Sequence, residues 1–111
     1  MEKQIKAVIK DVIDFPKKGI VFKDVTPVFG NPAIFKKMIN SLAKRYDGKK
    51  ISAIVGVESR GFIIGAPLAY KLGIPFVPVR KPGKLPRETF KEEYALEYGT
   101  NTLEIHKDAL K

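Results

Sequence analysis

The stretch that most restricts what this chain can fold into runs from Ile51 to Leu72. Ile51 to Val57 is a short apolar run, β-branched at Ile51, Ile54, Val55 and Val57, and it predicts a strand buried on both faces, as in parallel sheets. The character then changes within Glu58-Ser59-Arg60-Gly61, and an apolar stretch of helical character follows to Leu72. A strand that enters a helix through a tight polar turn aims backbone N–H groups and the positive end of the helix dipole at one spot. That spot suits an anion, most often a phosphate. Arg60 adds a planar cation whose forked donors match phosphoryl oxygens. The plainer alternative is a strand–turn–helix in which Glu58 and Arg60 are merely solvated. This stretch alone leaves both open.

Earlier in the chain, Ile5, Val8, Ile9 and Val12 fall on one face of a short helix over Lys3–Val12. Pro16 and Gly19 break it. Val21 to Pro27 alternates weakly and reads as an extended arm that stops at Pro27. On that arm Phe15 and Phe22 serve either as core plugs or as flat faces on which a base can stack. Asn31-Pro32 predicts a helix start, with Asn as N-cap and Pro in the first turn. Ile34, Phe35, Met38, Ile39, Leu42 and Ala43 then follow at helical spacing to Tyr46, and Asp47-Gly48 ends the helix.

After the central turn, Pro67 should kink the second helix or delay its regular part, Gly73 should close it and Pro75 should enforce the stop. Phe76 to Arg80 is the next strand, irregular or near an edge at Pro78. Ile51–Val57 and Phe76–Arg80 are expected to be parallel neighbours joined by a right-handed crossover through the 61–72 helix. Arg80 to Arg87 holds four cations, two prolines and a glycine, which predicts a loop, with polar sequence continuing to Tyr94. Tyr94–Tyr98 and Thr102–His106 alternate and predict a hairpin turning around Gly99-Thr100-Asn101. The long cationic loop with Glu97-Tyr98 behind it is either an active-site lid or a solvated basic loop. His106, the only histidine, lies in an alternating strand and reads as structural. No metal-ligand constellation is visible.

With 111 residues the chain makes one domain with one core. No apolar run approaches the roughly 18 residues of a membrane span, and no membrane partner is expected. Cysteine is absent, which excludes disulfides and thiolate metal sites and makes a cytoplasmic location the default. The net charge of +9 invites a polyanion reading, but the 21 Lys and Arg are scattered through all segments, which argues against a nucleic-acid partner.

Four groups of residues, in this order, carry a resemblance. They are Asp14-Phe-Pro-x-x-Gly-Ile-x-Phe-x-Asp-x-Thr-Pro27, Val55-Gly-x-Glu-x-Arg-Gly-Phe62, Val79-Arg-Lys-x-Gly-Lys-Leu-Pro86, and Tyr94-x-Leu-Glu-Tyr-Gly99 followed by Leu103-Glu-Ile-His-x-Asp-Ala-Leu110. Together they resemble the first two thirds of the adenine phosphoribosyltransferases, within the type I phosphoribosyltransferases. The resemblance implies an α/β fold: a parallel sheet flanked by helices, an N-terminal hood over residues 1–30, and a lid over residues 81–98, in a single partial domain over 1–111. It implies transfer of a 5-phosphoribosyl group from phosphoribosyl pyrophosphate to N9 of adenine, giving AMP and pyrophosphate in purine salvage.

Residue by residue, the resemblance implies that backbone groups of Val21 and Lys23 read the adenine edge while Phe22 stacks on the base. Members of the family often carry Arg where Lys23 stands, an exchange that a backbone contact survives. Glu58, Ser59 and Arg60 match the pyrophosphate loop, with Arg60 the main clamp, and Arg80, Lys81 and Lys84 match further pyrophosphate contacts. A cis peptide is implied at Glu58–Ser59. Glu97 and Tyr98 match the lid pair, with Glu97 the candidate for handling the proton of the base. The cofactor implied is Mg2+, bound mainly through phosphoribosyl pyrophosphate, and the full-length enzyme is implied to be a homodimer.

One departure bears on activity. The family continues with a hydrophobic strand, an acidic pair and a Thr/Gly loop that cradles the ribose 5-phosphate, and nothing in this sequence matches that loop. The expectation is therefore a truncated reading of the enzyme, inactive alone. The alternative is a non-catalytic module that binds purine, pyrophosphate or nucleic acid through the hood and the turn.

Overall fold

The computed structural model describes residues 2–96 and 99–110. It divides into two compact units, Met1–Arg45 and Tyr46–Lys111.

In the first unit, helix α1 (Glu2–Val8) leads into strand β1 (Lys10–Ile13), which pairs antiparallel with β2 (Val21–Asp24). The expected helix to Val12 is thus cut short. Val12 lies opposite Phe22 in the strand register, so its place in the 5, 8, 9, 12 spacing is a coincidence of a helix running straight into a strand. The hairpin closes because Asp14 takes a positive φ of 58° and its Oδ1 accepts the Gly19 N–H at 2.8 Å. The Phe15–Pro16 peptide within the turn is cis. Pro27 does not end the arm. It sits in the first turn of a one-turn helix, α2 (Thr26–Phe29), where a missing N–H costs nothing. Asp24 Oδ1 accepts from the Thr26 N–H at 2.9 Å and from its hydroxyl at 2.7 Å, which starts the turn. Helix α3 (Pro32–Tyr46) begins as the sequence predicts, with Asn31 Oδ1 capping the Ile34 N–H at 3.1 Å. Its inward stripe includes the buried Ile39 and Ala43, while Lys36, Lys37, Asn40, Ser41 and Lys44 are exposed.

In the second unit, β3 is Ile54–Val57, shorter than the expected run from Ile51, and it pairs in parallel with β4 (Phe76–Val79). Helix α4 (Arg60–Leu72) connects them and packs on β3. The expectation of burial on both faces fails for β3. Gly56 is buried beneath α4, whereas Val55 and Val57, which alternate to the other face, are 47% and 46% exposed. Pro67 is carried inside α4, and Gly73 closes the helix in the left-handed region at φ 71°.

The second hairpin also departs from expectation. Strands β5 (Thr89–Leu96) and β6 (Gly99–His106) pair along their whole length, Thr89 opposite His106 and Leu96 opposite Gly99. The strand therefore starts at Thr89 rather than Tyr94, and Gly99, Thr100 and Asn101, expected in the turn, belong to β6. Lys91, Glu92 and Glu93 are all exposed, so the ladder forms without the half-buried alternation by which a strand is read. A single antiparallel bridge between Arg80 and Glu104 ties β4 to β6.

Candidate functional site

The central turn is placed by register. Val57 lies opposite Val79 in the parallel pair, so the next residue of each strand, Glu58 and Arg80, emerges at the same sheet end. The Glu58 N–H donates to the Val79 carbonyl at 3.0 Å, which extends the pairing into the turn. Both residues stand at the carboxyl ends of parallel strands, where open α/β sheets take their ligands. Ser59 is the N-cap of α4 and makes no side-chain cap bond. Arg60 is the first residue of the helix and is exposed. The Glu58–Ser59 peptide is cis, as the resemblance implies.

The turn approaches the strand closely because Gly61 and Gly56 face each other: a Cβ on Gly61 would lie 3.4 Å from the Gly56 carbonyl carbon. Glu58 does not point freely into solvent. Its Oε2 accepts the Arg80 Nε–H at 2.9 Å, and its side chain is 12% exposed against 37% for Arg80. The bond to Arg80 holds the Glu58 carboxyl below its ordinary value of 4.5; burial acts against this, and the Lys81 N–H and the charges of Arg80 and Lys81 reinforce it. The Arg80 guanidinium carbon lies 5.7 Å from the centre of the Phe62 ring, a cation–π distance.

Lys81 and Lys84 are exposed on the loop that follows. The loop turns at Gly83, φ 81°, with the Lys84 N–H donating to the Lys81 carbonyl at 3.3 Å. Its start is fixed by the Arg80–Glu104 bridge, with backbone bonds of 2.9 and 2.7 Å. Its end is fixed by the Lys107 N–H donating to the Glu88 carbonyl at 3.0 Å and by an ion pair between Arg87 and Asp108. The predicted cationic segment is thus a loop anchored at both ends, with Arg80 and Lys81 beside the turn and Lys84 further along the exposed loop. The structure brings Glu58 and Arg80 into contact and sets Ser59, Arg60 and Lys81 next to them in the chain. Glu97 and Tyr98, the expected lid pair, lie outside the described residues.

The three residues expected to meet adenine sit on the other unit. Val21 is 53% exposed at the start of β2. Phe22 is half-buried, and its ring meets Phe15 edge-on, centroids 5.2 Å apart at 72°. The Lys23 ammonium pairs across the hairpin with Asp11 at 2.6 Å, its partner in the strand register.

Two features were not read from sequence. Phe62 lies under Arg80, although its apolar helical position carried no sign of that role. Glu104 is a carboxylate 4% exposed, bonded to Arg80 through both backbone groups, with Lys91 Nζ 3.8 Å from its Oε2. The alternation of Leu103, Glu104 and Ile105 was the available signal, since a charge in a pairing strand needs a partner. Among the described residues no three of His, Cys, Asp and Glu converge as a metal site, and no helix is long and apolar enough to cross a membrane.

No family model matches the chain. Individual proteins do. The adenine phosphoribosyltransferase of Geotalea uraniireducens is 61% identical over 108 residues, covering 97% of this chain and 63% of the relative. The crystal structure of the enzyme of that name from Thermoanaerobacter pseudethanolicus superposes with a TM-score of 0.92 at 58% identity, over 98% of this chain and 63% of its own. That of the Saccharomyces cerevisiae enzyme, complexed with adenine and an imino-altritol bisphosphate, gives a TM-score of 0.89 at 46% identity, over 97% of this chain and 64% of its own. The chain thus spans somewhat less than two thirds of the length of the proteins it matches. In sequence and in α/β fold, the chain is similar to the adenine phosphoribosyltransferases over the 63% of their length that it covers.

Proposed function

We propose that this chain carries the base and pyrophosphate recognition of an adenine phosphoribosyltransferase, for the reaction of adenine with phosphoribosyl pyrophosphate to give AMP and pyrophosphate. The observation that carries the reading is the Val57–Val79 register. It delivers Arg80 beside a turn that opens α4, within a chain 61% identical to a relative of that name. The solved yeast relative, bound to adenine and a bisphosphate, supports the choice of substrates.

In the proposed reaction N9 of adenine attacks C1′ of the ribose. The bond from C1′ to the pyrophosphate oxygen breaks with its electron pair leaving on pyrophosphate, and the N9 proton is released, with Glu97 the residue we assign to receive it and Tyr98 beside it. Negative charge grows on the leaving group as the sugar becomes cationic. Cations already fixed there lower the barrier, because they bind the transition state more strongly than the ground state. Arg60, Arg80, Lys81 and Lys84 are the cations assigned to this task, together with backbone donors around Ser59. Val21, Phe22 and Lys23 are assigned to adenine, with Phe22 as the stacking face.

Mg2+ is expected to arrive on phosphoribosyl pyrophosphate, screening its charge. Apart from Glu58, whose carboxylate is taken up by Arg80, the chain's own groups in the turn are cations and N–H donors, which fit the anion rather than the metal. We also place the enzyme in the cytoplasm as a homodimer, on the family resemblance.

The test supplies labelled adenine, phosphoribosyl pyrophosphate and Mg2+, and follows AMP and pyrophosphate. It is run on residues 1–111 and on a joined protein in which they are extended by the part of the Geotalea uraniireducens relative that they do not cover. Equal amounts of AMP and pyrophosphate from the joined protein are expected. A folded joined protein that forms neither, and binds neither adenine nor pyrophosphate, overturns the reading.

A further inference from the structure

Glu58 is a carboxylate in a turn otherwise furnished for an anion. A bare carboxylate there would repel pyrophosphate, so its presence needs a physical account. The account lies in what it holds. Its Oε2 takes the Nε–H of Arg80 at 2.9 Å, and of the pair it is the more deeply covered, 12% against 37% exposed. A guanidinium gripped at Nε still has its terminal Nη donors, because the five donors of arginine are spread around a rigid plane. Two further contacts fix the same residue. The Phe62 ring lies 5.7 Å from Arg80 Cζ and is itself set edge-on against Phe76, centroids 5.8 Å apart at 88°. The Arg80 backbone is bonded in both directions to Glu104.

We infer that Glu58 is a positioning residue rather than a ligand contact: with Phe62 it holds the Arg80 guanidinium so that the terminal donors meet pyrophosphate oxygens. The inference rests on the pyrophosphate reading of this turn and deepens it. It changes the part expected of Glu58, from a member of the anion shell to a residue acting through Arg80. A long flexible cation must otherwise be ordered each time the anion binds, and a pre-set one loses less on binding. The lowered pKa of Glu58 is in keeping with a carboxylate that stays ionised to do this.

The idea has a sign opposite to simple electrostatics, which makes it testable on residues 1–111 with inorganic pyrophosphate as the probe. Removing Glu58 makes the turn more positive, yet Glu58→Ala should weaken pyrophosphate binding, about fivefold or more. In an Arg80→Ala background the same change should leave binding unaltered or improve it. Glu58→Gln keeps an acceptor for Nε–H and should fall between, which provides a reading if Glu58→Ala folds poorly by circular dichroism. In parallel, the Arg80 Nε–H exchange rate is followed by NMR without any anion. It should be slow in the parent chain and faster in Glu58→Ala. Tighter pyrophosphate binding by Glu58→Ala in the parent background, or equal weakening in both backgrounds, overturns the inference. So does an Nε–H that exchanges as fast in the parent as in the variant. If Nε–H is protected but the parent binds no pyrophosphate, the pyrophosphate reading itself fails, and the pair serves only the fold.

Discussion

The Phe76 ring lies across Gly65 so closely that a Cβ built on that glycine would stand 2.6 Å from ring carbon Cε1, and one on Gly56 would stand 2.7 Å away. One glycine of α4 and one of β3 therefore make room for the same aromatic, which lets the helix come down on the strand and sets the height of the turn between them. Alanine in place of a helical glycine normally gains about 1 kcal/mol, whereas forced overpacking costs about 1–3 kcal/mol. The ring cannot retreat easily, since Phe62 meets it edge-on. Gly65→Ala should therefore destabilise the protein by up to about 2 kcal/mol in urea denaturation, and Gly65→Ala with Phe76→Leu should recover part of the loss. A stabilised Gly65→Ala would show that the ring does not occupy that space.

The far end of the cationic loop should show its own pH dependence. The Arg87 guanidinium bonded to Asp108 holds that carboxyl below its ordinary value of 3.8, and the charges of Arg87 and His106 assist. A lowered folded pKa means that the ionised form is favoured by folding. The contribution is therefore complete above pH 3.8 and is lost as the pH falls through the lower folded value. The urea midpoint of the parent should exceed that of Asp108→Asn near neutral pH by a small margin, both side chains being more than half exposed. The margin should close in strong acid. A margin that widened on acidification would contradict the pairing.

What could be read from the sequence follows the local physics. The β3–turn–α4 unit was legible because the apolar run, the polar turn and the helical stretch change character within a few residues, and because Gly73 and Pro75 mark the stop. Asn31-Pro32 was legible as a cap for the same reason. Val12 was misread because helix and strand abut with no breaker between them, and Pro27 because proline both ends extended segments and starts helices. The start of β5 was hidden because Lys91, Glu92 and Glu93 face solvent, so pairing with β6 rather than burial defines the strand.

The site was legible in its parts and not in its contacts. Glu58, Arg60 and Arg80 could be picked out by type and motif. That Glu58 grips Arg80, 22 residues away, depends on the register of β3 against β4, which no local pattern encodes. Phe62 under Arg80 follows from the same register. Such long-range juxtapositions are tertiary facts.

Phe22 offers a test of the base reading. Its ring is braced edge-on by Phe15, and stacking of a base on an aromatic contributes about 1–3 kcal/mol. In the joined protein Phe22→Ala should raise the KM for adenine about tenfold or more. The KM for phosphoribosyl pyrophosphate should change much less. Phe15→Ala, which removes only the brace, should have a smaller effect of the same kind. Equal rises in both KM values would instead point to general unfolding of the hairpin.

Arg60 and His106 separate the proposed clamp from the scaffold. Arg60 opens α4, where its charge adds to the helix dipole at the spot assigned to the leaving group. Removing one preset electrostatic contact of this kind from a transition state typically costs about 100-fold or more in turnover. Arg60→Ala in the joined protein should show a loss of that order in kcat, with circular dichroism and the urea midpoint close to the parent. His106 lies at the end of β6, opposite Thr89, with Nδ1 3.4 Å from Arg87 and a buried Nε2 that has no partner among the described residues. Nothing directs its ring toward the turn, and a buried ring nitrogen without a partner is itself a cost to folding. His106→Ala should therefore leave kcat within about threefold of the parent, a change too small for a general acid or base, while moving the urea midpoint. An Arg60→Ala protein with unchanged kcat would remove the leaving-group clamp from the central turn, and a His106→Ala protein that folds but does not turn over would move the chemistry to β6.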